Sequence, residues 1–201
     1  SDLGSSANFA KRIEFGRPDW LVYVNREGRR FVDEAMVHYL VHSAMVRQTG
    51  GSCFAIFDEA ARASLGVADE GFYEGRFNDW SAQNILKMVE EGKVQRSDSL
   101  EDLADKLGLF HPRALANTMA RYSRDAEAGH DGMFFKDPAK LRPMRTAPFY
   151  GGELRMASVF MTFTGLRIDS AAHVMSEAEL PIPGLYAAGE ATGNVMGEQY
   201  I

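Results

Sequence analysis

Gly184-Leu-Tyr-Ala-Ala-Gly-Glu-Ala-Thr-Gly193 decides how this chain is read. An apolar run, Leu185 to Ala188, enters Gly189-Glu190 with no polar break, and two small residues separate that pair from Gly193. The pattern predicts a buried strand that leaves directly into a turn. Small residues at such an exit let the backbone approach a flat or phosphorylated ligand, because no Cβ intervenes. A carboxylate there, Glu190, can accept a hydrogen bond from a sugar-like hydroxyl. The physical reading is one wall of a nucleotide-cofactor site, set against the plainer alternative of a glycine-rich strand exit.

Two further blocks extend the pattern towards the N-terminus. Thr164-Gly165-Leu166-Arg167-Ile168-Asp169 precedes the terminal strand, and Val24-Asn25-Arg26-Glu27-Gly28-Arg29-Arg30-Phe31-Val32-Asp33-Glu34 lies near the start, followed by Ala55-Ile56-Phe57-Asp58. Taken in order, these blocks resemble the fumarate reductase and succinate dehydrogenase flavoprotein superfamily, which includes the 3-ketosteroid dehydrogenases. The first block resembles its C-terminal flavin-binding strand. The Val24–Glu34 block resembles the hairpin that opens its substrate-capping domain, and the block from Thr164 resembles the strand returning from cap to flavin domain. The resemblance implies an α+β fold: a capping domain of the fumarate reductase flavoprotein type, plus return strands of the FAD-binding domain. Residues 1–19 would be a lead-in from the flavin domain or a cloning remnant, 20–147 the capping domain, and 148–201 the return strands.

Local patterns predict the elements. Residues 20–33 read as a hairpin with turn chemistry at Asn25 to Gly28. Residues 34–48 carry apolar side chains at helical spacing up to Gly50-Gly51. Residues 53–57 form a short buried strand, and Asp58 caps a helix to Leu65. A loop covers 66–75. Asp79 or Ser81 opens a helix to Glu91, Ser99 with Asp102 caps another, and Pro112 starts a helix running to Gly129. Residues 130–147 are loop-like, 149–159 and 166–174 are strands, and Pro181 with Pro183 brackets a turn before the last strand.

Composition narrows the function classes. The 201 residues carry a formal net charge of −6, with no basic stripe to offset it, which argues against a nucleic-acid binder. The single cysteine, Cys53, sits in an apolar run and reads as a buried structural thiol. Apolar runs are too short to span a membrane and no signal peptide is visible, so a cytoplasmic setting is expected. His111, His130 and His173 lack ligand spacing, so no metal site is expected. No Gly-x-Gly-x-x-Gly fingerprint occurs. In the resembled family that fingerprint holds the cofactor pyrophosphate, so the chain is expected to be a piece of a longer enzyme. Its FAD would then depend on a missing N-terminal FAD-binding region and would not be retained by the piece alone. The electron partner is left open.

Site residues follow from the resemblance, one position at a time. The superfamily lays its substrate flat on the flavin, passes a hydride between flavin and one carbon, and exchanges a proton with the neighbouring carbon. The proton-transfer residue lies four positions past the hairpin glutamate, which here is His38, with Tyr39 next to it. An imidazole suits proton exchange near neutral pH, and His42 could orient it one helical turn along. Where fumarate reductases have a carboxylate-binding histidine, this chain has Phe160-Met161-Thr162, followed by Phe163. Where they have a clamping arginine, it has Tyr200. A desolvated dicarboxylate needs charge-assisted partners, so Met161, Thr162 and Phe163 suggest a neutral substrate. Tyr200 matches the ketosteroid dehydrogenase tyrosine that binds the substrate ketone. Glu190, Gly189 and Gly193 would contact the flavin. Arg29 and Arg30 read as partners of Asp33 and Glu34 rather than as anion ligands. The leading expectation is an FAD-dependent oxidoreductase acting on a C–C or C=C bond beside a ketone or enone. Its alternatives are a carboxylate-active enzyme with a clamp built from Arg145 or Arg155, and a non-catalytic ligand-binding module.

Overall fold

The computed structural model describes residues 18–65, 81–155 and 165–192, and for His38, Tyr39 and Glu190 the backbone only. Contacts divide the chain into two units, Ser1–Ala157 and Ser158–Ile201. The first is built round a four-stranded antiparallel sheet of β1 (Val22–Val24), β2 (Ser52–Asp58), β4 (Phe149–Arg155) and β3 (Gln95–Ser97), in that order. All seven residues of β2 are buried. Its run is apolar without alternation because helices cover both faces of the sheet. Cys53, Ala55 and Phe57 face one cluster with Tyr23, Val41, Met45, Ile85 and Met88. Phe54 and Ile56 face the other, with Leu103, Leu115, Met119 and Tyr122. Cys53 is the buried thiol its neighbours implied.

The helices are α1 (His38–Val46), α2 (Glu59–Ala63), α3 (Ala82–Glu90), α4 (Leu100–Lys106) and α5 (Pro112–Glu127). Their starts follow the capping chemistry. Asp58, Ser81 and Ser99 accept hydrogen bonds from the backbone N–H groups of Ala61, Asn84 and Asp102. The other oxygen of Asp58 accepts from Arg145 and Thr146, 3.0 and 2.9 Å away, so one carboxylate caps α2 and fixes the approach to β4. Pro112 stands at the first turn of α5.

Several expectations need correction. The hairpin turn forms, with Gly28 N–H on Asn25 O, but its return arm shrinks to one bridge between Val24 and Arg30. Arg30 is drawn into the core there instead of continuing a strand. The helix expected from residue 34 starts at His38, because Asp33 accepts from Ala35 N–H and Glu34 is occupied by tertiary partners. The three-residue strand β3 gave no apolar signal; it is a polar edge paired to β4. β4 pairs with β2 through all seven positions and lies in the first unit.

The second unit holds β5 (His173–Met175) and β6 (Pro181–Tyr186), paired antiparallel. Residues 166–174 are not one strand: the chain reverses at Asp169–Ala172, and Ile168 bridges back to Val174. The aspartate drives the turn, since its side chain accepts from Ala171 and His173 N–H groups. Pro181 and Pro183 lie within β6 rather than bracketing a turn. A two-stranded sheet has a free edge, which tolerates prolines without N–H donors. β6 was expected to be buried and is exposed along its length. Among the described residues no helix is long and apolar enough to cross a membrane.

Gly28 sits where only glycine fits. Its φ is +75°, and a Cβ would stand 2.9 Å from the backbone nitrogen of Leu115 in α5. Gly92 shares the backbone geometry (φ +70°) with open space around it. Gly28→Ala is therefore expected to cost roughly 2–3 kcal/mol and Gly92→Ala about 1 kcal/mol in urea denaturation. Equal losses would show that contact with α5 is not what demands the glycine.

Candidate active site

The start of α1 is set by a buried ionic cluster. Arg30, whose side chain is 1% exposed, donates from Nε and Nη2 to the two oxygens of Glu34 at 2.8 and 2.9 Å. Its Nη1 and Nη2 donate to Asp131 at 3.0 and 2.9 Å. Lys136 Nζ donates to Glu34 at 3.2 Å and to Leu21 O at 3.0 Å, and Tyr23 N–H donates to Glu34 as well. Two cations meet two carboxylates, so the cluster is neutral. The guanidinium lies over the rings of Tyr122 and Phe134, 4.9 and 5.1 Å from their centroids.

Asp131 organises its own loop. Its carboxylate accepts from the N–H groups of Met133, Phe134 and Lys136. This winding turns Phe134 and Lys136 inwards and leaves Phe135 between them at φ +59°, 77% exposed. Burial works against ionisation of Asp131, but Arg30 and the backbone donors outweigh it and hold the carboxyl at about 2. Burial likewise opposes the charge on Arg30, and Glu34 and Asp131 overcome it, so the guanidinium is held above its usual range. For Lys136 burial wins over the attraction of Glu34, and its pKa is lowered. Burial, then the Glu34 charge, pushes the Tyr122 phenol up to about 12.

The sequence candidates divide between the two units. His38 is the first residue of α1 and Tyr39 the second, after Val37 as an N-cap without a side-chain hydrogen bond. Around them Met36, Val37 and Leu40 present apolar surface, 39%, 53% and 37% exposed. His42 is half-buried in the next turn. In the second unit, Gly189 and Glu190 open a 3-10 turn, Gly189–Thr192, after β6. Gly189 has φ +68°, and a Cβ built on it would meet nothing within 4 Å. Thr192 Oγ donates to Gly189 O, and Leu166 N–H donates to Ala191 O, so the turn is tied to the preceding block. A glycine turn with a bare face fits the close approach of a flat ring, and FAD is compatible with these residues. Met161, Thr162, Phe163, Gly193 and Tyr200 lie outside the described residues.

Of the other named cations, Arg30, Arg145 and Arg155 have carboxylate partners, whereas the guanidinium of Arg29, expected to pair beside Asp33 and Glu34, has none among the described residues. Arg30 pairs with Glu34 as expected, and also with Asp131, which the sequence reading missed together with Lys136. The available signal was slight: an apolar Met133-Phe134-Phe135 run followed directly by Lys136 within an otherwise polar loop. Arg145 pairs with Glu127, and Arg155 with Glu153.

Residues 19–200 match the FAD binding domain family. The chain belongs to that family. It is 35% identical to the NADH:acrylate oxidoreductase of Vibrio harveyi over 89% of its own length and 16% of the relative's. It is 34% identical to the fumarate reductase (cytochrome) of Shewanella frigidimarina over 90% of its length and 28% of that protein's. The crystal structure of 3-ketosteroid delta1-dehydrogenase from Sterolibacterium denitrificans aligns with a TM-score of 0.72 at 26% identity, covering 96% of this chain and 36% of that one. The chain thus spans less than a third of these two sequence relatives. The kinship read from three sequence blocks holds, and FAD is the family's cofactor.

The Asp131 shift sets an acid limit. A carboxylate held at about 2, below the usual 3.9, contributes roughly 2–3 kcal/mol that is fully present above pH 4 and lost as pH falls through about 2. Glu59, held at about 2 chiefly by its hydrogen bond from Arg62, acts in the same window. Asp131→Asn should lower stability at pH 7 by about 3 kcal/mol and flatten the acid slope without abolishing it, as read from urea midpoints between pH 7 and pH 2. An unchanged slope would remove Asp131 from the account.

Proposed function

We infer that this chain is the substrate-capping part, with return strands, of an FAD-dependent oxidoreductase that dehydrogenates a C–C bond, or reduces a C=C bond, beside a carbonyl. The capping part in this proposal runs to residue 157 rather than 147, since β4 completes the sheet of the first unit. Its substrate is a neutral ketone or enone. The observation that carries this is the apolar surface of Met36, Val37 and Leu40 around the start of α1, together with the pairing of Arg145 and Arg155 to glutamates. A carboxylate held against such surface would lack charge-assisted partners.

His38 would exchange the proton with the carbon next to the reacting one, with Tyr39 taking that place if the register differs by one. Tyr200 would donate a hydrogen bond to the carbonyl oxygen, where negative charge develops. Met161, Thr162 and Phe163 would line the substrate. Gly189, Glu190 and Gly193 would hold the flavin, the glycines by close backbone approach and the glutamate by accepting from a hydroxyl. FAD, when bound, supplies the hydride chemistry. The second reading, a carboxylate substrate, draws support from the names of the relatives, an acrylate and a fumarate enzyme.

The test uses the full-length parent loaded with FAD, assayed for flavin reoxidation by 2-cyclohexenone, acrylate and fumarate. Turnover of the enone alone supports the neutral substrate, and turnover of the acids alone replaces it with the second reading. His38→Gln should lower kcat by about 100-fold or more at unchanged flavin content. Wild-type kcat in that variant would take the proton-transfer role from His38.

A further inference from the structure

A groove of ≈ 360 Å³ in the first unit runs beside α5, walled by Arg29, Asn117, Arg121, Tyr122, Asp125 and Met133. None of these is a candidate for proton transfer or flavin contact. Arg30 also borders it, but both of its faces are committed to Glu34 and Asp131, so it offers no free charge. Arg29 is different. Among the described residues its guanidinium has no carboxylate partner, and only its backbone N–H is engaged, by Asn25. Among the described residues Arg121 has only Asp125, an ion pair at 3.9 Å that is too long for a hydrogen bond.

Asp125 gives the groove its second sign. Its Oδ2 is covered by protein and accepts no hydrogen bond, while the side chain keeps 24% of its surface exposed in the groove wall. A carboxylate oxygen hidden from water and left without a donor is an unusual state for a native protein. That oxygen is closed to a ligand, but a cation lodged beside the exposed part of the carboxylate would offset its charge more closely than Arg121 does at 3.9 Å. The lining therefore has one guanidinium without a carboxylate partner among the described residues, Arg29, one loose ion pair between Arg121 and Asp125, and the flexible apolar side chain of Met133.

We propose that this groove binds a free α-amino acid with an unbranched apolar side chain. Its carboxylate is taken by Arg29 and Arg121, its ammonium by Asp125, and its tail lies along Met133. A plain anion would meet the guanidinium groups but leave Asp125 as it is. A plain cation would meet Asp125 and be repelled by two arginines. Only a zwitterion answers both.

The test titrates the 15N-labelled chain with three probes that share one carbon skeleton: L-norleucine, hexanoate and pentylammonium. L-Norleucine should shift the amides of Arg29, of Asn117 to Asp125 and of Met133 saturably, with a Kd at least about 10-fold below that of either other probe. Arg29→Gln should weaken norleucine and hexanoate alike, whereas Asp125→Asn should weaken norleucine and leave hexanoate unchanged or tighter. Both residues lie at the surface of the groove, and amides remote from it report that each variant stays folded. Equal affinity for norleucine and hexanoate overturns the zwitterion. So does the absence of saturable shifts in the groove, or norleucine binding that neither substitution alters.

Discussion

The guanidinium of Arg30 touches two carboxylates and two aromatic rings, and its side chain has almost no contact with water. Removing each of these ions from solvent costs several kcal/mol, so the arrangement is tolerable only if every donor and acceptor is matched. Arg30 meets Glu34 and Asp131 each through two hydrogen bonds, and Lys136 and the Tyr23 N–H complete the shell of Glu34. Together these contacts join the turn after β1, the approach to α1 and the loop after α5. The last of these lies 101 residues from Arg30 along the chain. Non-specific apolar packing could bring the same segments together in several registers. A neutral four-charge cluster accepts only one, because any slip strands a buried charge.

That constraint explains the local departures from helical propensity. The apolar spacing from residue 34 onward suits a helix, yet α1 begins only at His38. Glu34 cannot be both a solvent-facing first-turn residue and the acceptor of Arg30, Lys136 and Tyr23 N–H. Tertiary partners worth several kcal/mol outweigh the few tenths that propensity assigns to each residue. The same logic holds in the 131–136 loop, where Phe135 adopts a left-handed backbone so that both its neighbours can face the cluster.

What could be read from the sequence was what local chemistry controls. Asp58, Ser99 and Pro112 announced three helix starts and Ser81, with Asp79 as its alternative, a fourth, because a cap acts within three residues of itself. The apolar run Cys53 to Phe57 announced a short buried strand, and β2 extends it by one residue at each end. The failures share a cause at longer range. β3 is a strand because β4 offers it an edge, not because Gln95-Arg96-Ser97 favours one. β6 reaches back to Pro181 because its free edge asks nothing of the prolines. The candidate site residues His38 and Gly189 were suggested by resemblance, through their family positions, and not by any local spacing rule. Asp131 and Lys136 left only a faint trace in the sequence, since no spacing rule links an arginine to a carboxylate a hundred residues away.

The cluster also bears on what the start of α1 can recognise. Arg30 and Lys136 are buried cations held beside the approach to α1 by Glu34, and both are engaged by carboxylates. Seen from outside, their charge is cancelled, and the surface next to His38 is Met36, Val37 and Leu40. A substrate carboxylate approaching that surface would lose water and gain nothing from the cations beneath it. Recruiting one of them would break the four-charge match and expose the remaining partner to the full penalty of an unpaired buried ion. Any anion recognition at this end of the first unit must therefore come from cations outside the cluster. A neutral carbonyl needs only one donor and an apolar bed, which is a smaller demand on the same residues.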